Sequence, residues 1–178
     1  MNDATTDRTG AELAAVYRAL DRVQAIVEFE LDGTVIAAND NFLELFGYTA
    51  DEVVGQHHRM FCDPAYAESS DYQALWEKLA AGEFLSDEFK RVGKDGQTIW
   101  LRASYNPVIG EDGKPVKVIK FATDVTANKM RAAEYRGLIS AINRAQAAIE
   151  FDLDGTILDA NENFLEIFGY KKDEVVGR

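Results

Sequence analysis

Apolar side chains near the start of the chain change from helical spacing to strict alternation. Across residues 11–24 they fall on one side of a helix, which favours an amphipathic helix. The residues of this stripe are Leu13, Val16, Tyr17, Leu20 and Val23. Over residues 27–31 apolar and acidic residues alternate, as in a half-buried strand. Asp32-Gly33 then predicts a tight turn into a second strand over 34–38.

Short helices and three longer strands are predicted for the next part of the chain. Two helical stretches, 41–46 and 50–54, are each ended by a glycine. Residues 56–68 show no period and are predicted to be loop with one turn of helix. A capping box of Ser70 with Gln73 predicts the start of a longer helix. The three strands are predicted at 84–92, 97–108 and 116–125. This order predicts an α+β fold, a five-stranded antiparallel sheet with its helices on one face.

One stretch of the sequence occurs twice. Residues 18–56 align without gaps with residues 140–178, at an offset of 122, with 24 identities in 39 positions. This period is too long for a solenoid repeat and predicts tandem domains. From Ala147 on, the second copy has about 32 residues, and units below ~40 residues rarely bury enough surface to fold alone. We therefore expect this segment to be mobile or to pack on another surface.

Between the two copies, residues 127–146 predict a helix with one apolar side. The spacing of that side approximates a coiled-coil seam, so the helix either links and dimerises or packs on its own domain. The seam residues are Met130, Tyr135, Leu138, Ile142 and Ala145. The predicted segments are an N-terminal helical segment (1–22), a first domain (23–126), a linker helix (127–146) and the start of a second domain (147–178).

Composition and charge narrow the function. The 178 residues are 47% apolar with a formal net charge of −12, and no Lys/Arg cluster offsets the acidity, which argues against nucleic acid as a partner. A single cysteine, no run of ~20 apolar residues and no signal peptide predict a cytoplasmic protein without a membrane span. Because no GxSxG, GxGxxG, GxxxxGK[ST] or HExxH motif occurs, an enzyme is not expected.

Four separated motifs resemble the PAS family of sensor domains in order and spacing. They are Asn39-Asp-Asn-Phe-Leu-Glu-Leu-Phe-Gly-Tyr-Thr, Gly93-Lys-Asp-Gly-Gln-Thr-Ile-Trp-Leu-Arg-Ala, Asp112-Gly-Lys-Pro and Phe121-Ala-Thr-Asp-Val-Thr. The resemblance runs from about Val23 to Thr126 and resumes at Ala147. Within the family, Gly55-Gln-His-His-Arg-Met-Phe-Cys is similar to the tandem PAS domains of cytoplasmic methyl-accepting chemotaxis receptors of the aerotaxis and biofilm-dispersion kinds.

The resemblance implies a flavin site, with FAD as the expected cofactor. Trp76 matches a tryptophan that stacks near the flavin ring in flavin-binding members, although it also suits core packing. His58 matches a histidine implicated in flavin binding in aerotaxis receptors, whereas Asp63 replaces a second histidine of that pattern. Arg59 is expected to restore the positive charge towards a phosphate. Asn39 either contacts the ligand or caps the helix that it opens.

Several alternatives stay open. His57 and His58 also suit haem iron, or they lie in an exposed polar loop, and without a cofactor the module is a ligand-free dimerisation scaffold. Adjacent histidines with one Cys and one Asp give no recognised zinc spacing. Phe61-Cys62-Asp63 differs from the Asn-Cys-Arg-Phe motif that light-sensing relatives need, and Cys62 is expected to be half-buried.

The expected function is a sensory input module that uses FAD to sense redox state or oxygen. The flavin is expected between the helix of Leu75-Trp76 and the strands through Leu101 and Phe121. The expected partners are a second copy through the flanking helices, a chemoreceptor signalling domain, and a chemotaxis histidine kinase with its coupling protein.

Overall fold

The structure is a computed structural model and describes residues 9–178. Two compact units divide the chain between Thr126 and Ala127. The first eight residues of the predicted N-terminal segment 1–22 lie outside the described residues.

The first unit combines five α-helices, one 3₁₀ helix and five strands among its described residues. The helices are α1 (Gly10–Asp21), α2 (Asp40–Phe46), α3 (Ala50–Val53), α4 (Pro64–Ala67) and α5 (Ser70–Ala80), with the 3₁₀ helix at His58–Phe61. The strands are β1 (Ala25–Phe29), β2 (Val35–Ala38), β3 (Leu85–Val92), β4 (Thr98–Ile109) and β5 (Pro115–Asp124). Each predicted strand is present, with bounds shifted by one or two residues.

The five strands form one antiparallel sheet in the order β2-β1-β5-β4-β3. The first and last strands of the unit, β1 and β5, are therefore hydrogen-bonded neighbours within the sheet. This pairing brings the two ends of the unit's chain together. The helices α2 to α5 supply apolar side chains to one core cluster with the inner face of the sheet. The predicted α+β fold with a five-stranded antiparallel sheet is confirmed.

Strict alternation decides which side chains face the core. On β4 the buried residues are Ile99, Leu101, Ala103 and Tyr105, and on β5 they are Val118, Lys120 and Ala122. Ser104 pairs with Phe121 in the register of these strands, so both lie on the opposite face. The prediction that placed a flavin against Phe121 on the inner side is wrong, because that side chain lies on the sheet face opposite the core cluster of α2 to α5.

Two local predictions also differ from the structure. The N-cap of α5 is Ser69, whose hydroxyl accepts the N–H of Tyr72, so the expected box of Ser70 and Gln73 does not form. The segment 56–68 holds two short helices, the 3₁₀ helix and α4, where one turn of helix within a loop was expected. Proline at the first position of α4 and the Asp63 cap explain that helix.

The second unit begins with a long helix and repeats the opening of the first unit. Its elements are α6 (Thr126–Ala145), β6 (Ile149–Phe151), β7 (Ile157–Ala160), α7 (Glu162–Phe168) and α8 (Lys172–Val175), with α6 starting at the last residue of the first unit. No residue of α6 is buried, and Met130 and Tyr135 are each 67% exposed. The apolar side of α6 is therefore exposed among the described residues.

Apolar side chains of the second copy are exposed as well. Phe151, Leu153, Ile167 and Phe168 are all exposed, whereas Phe29, the counterpart of Phe151, is fully buried in the first unit. In the first unit β1 pairs with β2 on one side and β5 on the other, but β6 pairs with β7 alone among the described residues. The two-stranded hairpin thus leaves much of its apolar surface uncovered.

Candidate functional site

An open groove of about 630 Å³ lies beside α5. Its wall includes Trp76 and Arg59, two of the predicted site residues, and His57. The other lining residues are Leu31, Asp32, Ala67, Glu68, Tyr72, Gln73, Glu77 and Ala80. His57 and Arg59 are the basic residues of this lining, and Trp76 and Tyr72 are its aromatic residues.

Trp76 lies at the inner side of the groove. The apolar stripe of α5 places it against the sheet, where its ring meets Phe29 and His58 edge-on with centroids 5.4 Å away in both cases. The side chain is 7% exposed, and Nε1 has no hydrogen-bond partner among the described residues. Trp76 is therefore a core residue that borders the groove and keeps a buried N–H without a partner among the described residues.

His58 is fully buried, so its interpretation as part of an exposed polar loop is wrong. The 3₁₀ helix turns its ring inwards, where Nδ1 lies 3.0 Å from the hydroxyl of Tyr72 and Nε2 lies 3.0 Å from the hydroxyl of Tyr105. Because both ring nitrogens are hydrogen-bonded, His58 has no free nitrogen for haem iron. Of the two histidines, His57 is the one at the groove.

The hydrogen bonds of His58 continue in both directions. Towards the interior, Nη2 of Arg91 donates to the hydroxyl of Tyr105 at 3.1 Å. Towards the groove, the hydroxyl of Tyr72 lies 3.3 Å from Nδ1 of His57. A continuous polar chain therefore joins the groove to the edge strand β3.

Both histidines have lowered pKa values. Burial, together with the positive charges of Arg91 and Lys120, holds the pKa of His58 well below its ordinary value of 6.5. Burial and the nearby charge of Arg59 lower the pKa of His57 as well. His58 is therefore neutral at pH 7, so one of its nitrogens donates and the other accepts.

Two buried basic side chains on the inner face of the sheet, Arg91 and Lys120, were not found from the sequence. Arg91 is 2% exposed, and its Nε has no partner among the described residues. Lys120 is 1% exposed, with Nζ 4.7 Å from the ring centre of Tyr105. Burial lowers the pKa of Lys120 well below 10.5. The one signal in the sequence was period: Lys120 lies two residues from Val118 and from Ala122, both of which face inwards.

Asn39 is a structural residue. Its Oδ1 accepts the N–H groups of Ile26 (2.9 Å) and Phe42 (3.0 Å), the second bond being the N-cap of α2. Its Nδ2 donates to the carbonyl oxygen of Asp21, the last residue of α1 (3.2 Å), and to that of Gln24, three residues further on (2.9 Å). Both polar atoms of the Asn39 side chain are therefore engaged within the fold, with the cap of α2 as one of their bonds.

The same set of asparagine hydrogen bonds occurs in the second unit. Asn161, at the offset of 122, accepts the N–H groups of Ala148 and Phe164, both at 2.9 Å, and donates to the carbonyl oxygen of Gln146 at 2.7 Å. Each copy thus uses one asparagine to join the end of its preceding helix to its first strand and next helix.

Cys62 and Asp63 contribute to local structure. Cys62 is buried rather than half-buried, with Sγ 3.7 Å from Nδ1 of His58, and burial raises the pKa of its thiol. The carboxylate of Asp63 accepts the N–H of Ala65 as the cap of α4. Within residues 9–178, no three His, Cys, Asp or Glu side chains lie close enough together to hold a metal ion.

The residues at the groove fit a flavin, whereas the interior does not. Between α5 and the sheet, Phe29, His58, Leu101 and Tyr105 are all fully buried and fill the space. The groove by contrast borders the indole of Trp76 and holds the imidazole of His57 and the guanidinium of Arg59, together with the carboxylates of Asp32, Glu68 and Glu77. Trp76 and Arg59, with His57, are the residues that would hold such a ligand.

Comparison with known proteins places the chain among sensor domains. The PAS fold profile matches residues 35–122, and a PAS domain profile matches residues 146–178. The biofilm dispersion protein BdlA of Pseudomonas aeruginosa is 47% identical over 157 residues, covering 88% of this chain and 38% of that protein. A blue-light-activated histidine kinase of Rhizobium johnstonii is 30% identical over 149 residues, covering 80% of this chain and 42% of that protein. The chain thus spans well under half the length of these relatives.

A solved structure agrees with this assignment. The PAS domain of a Colwellia psychrerythraea protein superposes with a TM-score of 0.57 and 26% identity, covering 65% of this chain and 98% of that one. No helix within the described residues 9–178 is long and apolar enough to cross a membrane. The two matching profiles together span about two thirds of the residues, and the chain belongs to the PAS family.

Proposed function

We propose that this chain is the sensory input segment of a chemoreceptor-type signalling protein, and that its first PAS module binds FAD in the groove beside α5. The proposal rests on Trp76, whose indole lines this groove with His57 and Arg59. When bound, a flavin supplies a redox-active ring whose charge and hydrogen bonding change with oxygen or redox state.

The groove suits a ligand of this kind. Its volume of about 630 Å³ lies within the usual range of ligand sites, ~300–1,000 Å³. An aromatic contact with Trp76 contributes ~0.5–1.5 kcal/mol beyond the burial of area. The guanidinium of Arg59 binds phosphate oxygens in pairs, which fits the pyrophosphate of FAD. The role of His57 is to donate a hydrogen bond at the same wall.

The relatives support a sensory role of this type. The similarity to BdlA favours a chemoreceptor context, with a cytoplasmic location, a histidine kinase and its coupling protein as partners, and no catalysis by this segment. A kinase activated by blue light must hold a group that absorbs it, and ordinary side chains do not absorb blue light. A ring-shaped chromophore in the present chain is consistent with that kinship.

A ligand-free scaffold is the second candidate function. The closely filled space between α5 and the sheet favours it, because no internal cavity is needed for this core to pack. The apolar stripes of α1 and α6 stay exposed, Leu13 by 55% and Leu138 by 57%, which suits helices that pair between two copies. Under both candidates we propose a homodimer through these flanking helices.

Titration of the purified chain with FAD tests the first candidate. We expect a yellow protein, and Trp76→Phe should bind FAD more weakly and with brighter flavin fluorescence, because phenylalanine keeps a ring but removes the indole electron donor. Trp100→Phe, which changes the other tryptophan, should leave the affinity unchanged. If the unaltered chain never binds FAD when supplied with it, the scaffold takes the place of the flavin sensor. A red-brown protein would instead indicate haem.

A further inference from the structure

We infer that five side chains form a hydrogen-bond relay of fixed direction, and that this relay holds His57 as an Nε2–H donor at the wall of the groove. In order from the interior to the groove, the five are Arg91, Tyr105, His58, Tyr72 and His57. The direction follows from the free protein alone. Its use in ligand selection rests on the proposed function.

The inner end of the relay is fixed by a group that can only donate. A guanidinium has no acceptor, so the 3.1 Å contact between Arg91 and Tyr105 is a bond from Nη2–H to the phenol oxygen. The hydrogen of the Tyr105 hydroxyl then needs another acceptor, since this side chain is fully buried. Nε2 of His58, at 3.0 Å, is that acceptor.

The middle of the relay follows from the neutral state of His58. With Nε2 accepting, the ring proton is on Nδ1, and it points to the hydroxyl oxygen of Tyr72 at 3.0 Å. The opposite tautomer would direct Nε2–H at Tyr105 and leave the buried Tyr105 hydroxyl hydrogen without an acceptor. The cost of that unmade bond is ~1–3 kcal/mol, which is enough to select one tautomer.

The outer end is fixed independently. The backbone N–H of Arg59 donates to Nδ1 of His57 at 3.2 Å, so this nitrogen is an acceptor whatever the other side chains do. The hydroxyl of Tyr72 donates to the same nitrogen at 3.3 Å. Two donors that meet at Nδ1 leave the proton of the neutral His57 ring on Nε2.

The relay therefore gives the groove a defined chemical preference. His57 offers an N–H and Arg59 a guanidinium at the wall of the groove, whose lining also holds the carboxylates of Asp32, Glu68 and Glu77. A ligand that places a hydrogen-bond acceptor beside His57 satisfies this N–H, whereas a ligand that places a donor there meets another N–H group. His58, Tyr105 and Arg91 are positioning residues that act on this preference through His57.

Nitrogen-15 NMR of the imidazole rings tests the direction, because the chain has two histidines and each gives its own pattern. At pH 7.5 in the free protein we expect the proton on Nδ1 of His58 and on Nε2 of His57. A proton on Nε2 of His58, a proton on Nδ1 of His57, or rapid averaging between the tautomers of His58 would overturn the relay. This measurement needs no variant.

A variant then tests whether Arg91 fixes the direction of the relay. In Arg91→Met the obligate donor is gone, so Tyr105 is free to donate or accept, and a second tautomer of His58 should appear. The matched control is Arg102→Met, which removes an exposed arginine paired with Glu88 on the neighbouring strand and should leave both rings unchanged. A single unchanged tautomer of His58 in Arg91→Met would show that Arg91 does not fix the direction of the relay.

Addition of FAD separates the relay from the proposed function. If FAD binds at the groove, the His57 nitrogen signals should shift while His58 keeps its proton on Nδ1. If the tautomers are as inferred but the His57 signals do not respond to FAD, the relay stands and the flavin proposal fails.

Discussion

Gly33 lies directly against the indole of Trp76. A Cβ atom on Gly33 would lie 2.8 Å from Cε2 of Trp76 and 3.0 Å from Cε1 of His57, closer than carbon atoms pack without a shift. The backbone of Gly33 also has φ +93°, a conformation that side chains rarely adopt. The turn between β1 and β2 thus closes over the edge of the candidate site, and both its conformation and its contact require glycine.

Gly33→Ala should therefore destabilise the first unit and displace the indole. We expect a loss of ~1–3 kcal/mol in the free energy of unfolding, together with a changed tryptophan fluorescence spectrum of the native state. Urea denaturation followed by far-UV circular dichroism measures the first effect.

The matched control is Gly96→Ala in the turn between β3 and β4. Gly96 has φ +77°, but an added Cβ would meet no atom within 4 Å. This variant has the backbone strain but no contact of the added Cβ with another residue. It should therefore lower the free energy of unfolding by less than Gly33→Ala does and leave the tryptophan fluorescence unchanged. Equal effects of both variants would show that contact with Trp76 contributes nothing.

The neutral, buried His58 makes stability depend on pH. Because the folded pKa lies well below 6.5, the unfolded chain binds a proton below about pH 6.5 that the native state does not. This part of the stability is present above pH 6.5 and is lost as the pH falls, by up to ~1.4 kcal/mol per pH unit. Unfolding curves between pH 7 and pH 5 measure how steeply the free energy of unfolding falls with pH.

His58→Leu separates this proton from other effects. We expect it to lower stability by ~2–4 kcal/mol at pH 7, since the buried hydroxyls of Tyr72 and Tyr105 lose their partner. The variant should also weaken the pH dependence of the free energy of unfolding between pH 6.5 and pH 5. His57→Leu should keep most of this dependence. A slope in His58→Leu as steep as in the parent chain would contradict this assignment.

Replacing the buried Lys120 should stabilise the protein. Burial lowers the pKa of Lys120 well below 10.5, so the folded state disfavours the charged ammonium that the unfolded chain holds at pH 7. This cost to stability shrinks as the pH rises towards 10.5. Lys120→Met keeps the length of the side chain without its charge, and we expect a gain of ~1–4 kcal/mol at pH 7 by denaturant unfolding.

Lys117→Met on the same strand is the control for this change. Lys117 is partly exposed and its Nζ lies 2.6 Å from the carboxylate of Glu28, so its loss should cost ~0–1 kcal/mol. A destabilised Lys120→Met would mean that the charge of Lys120 is compensated in the native state.

Asn39→Ala should destabilise the first unit without affecting a ligand. The variant loses the cap of α2 and the bonds that hold the end of α1, so we expect a loss of ~2–4 kcal/mol in the free energy of unfolding. Asn41→Ala removes two bonds to the same carbonyl oxygens but no cap, and should cost about half as much. FAD affinity, measured by titration of the folded variants, should not change. A large loss of affinity in Asn39→Ala would place this residue at the ligand site.

Local pattern determined the secondary structure and the fold class. Alternation along 97–108 and 116–125, turn residues between the strands and the helical stripe through Trp76 each depend on neighbours close in sequence, and all reappear in the structure. The repeat at an offset of 122 likewise predicted the matching elements of the second copy. These features follow from short-range sterics and burial, which a single sequence displays.

Tertiary structure alone decided which groups meet. The two-residue alternation of a strand separates its two faces but does not say which face the helices cover. The sequence therefore does not show that Phe121 lies on the outer face or that Lys120 is buried. The environment of His58 depends on Tyr105, 47 positions away, and on Arg91 of the edge strand, and no local pattern specifies contacts at that distance. Burial then sets the protonation of His58, because removal from water disfavours the charged ring and makes its two hydrogen bonds the determinant of its tautomer.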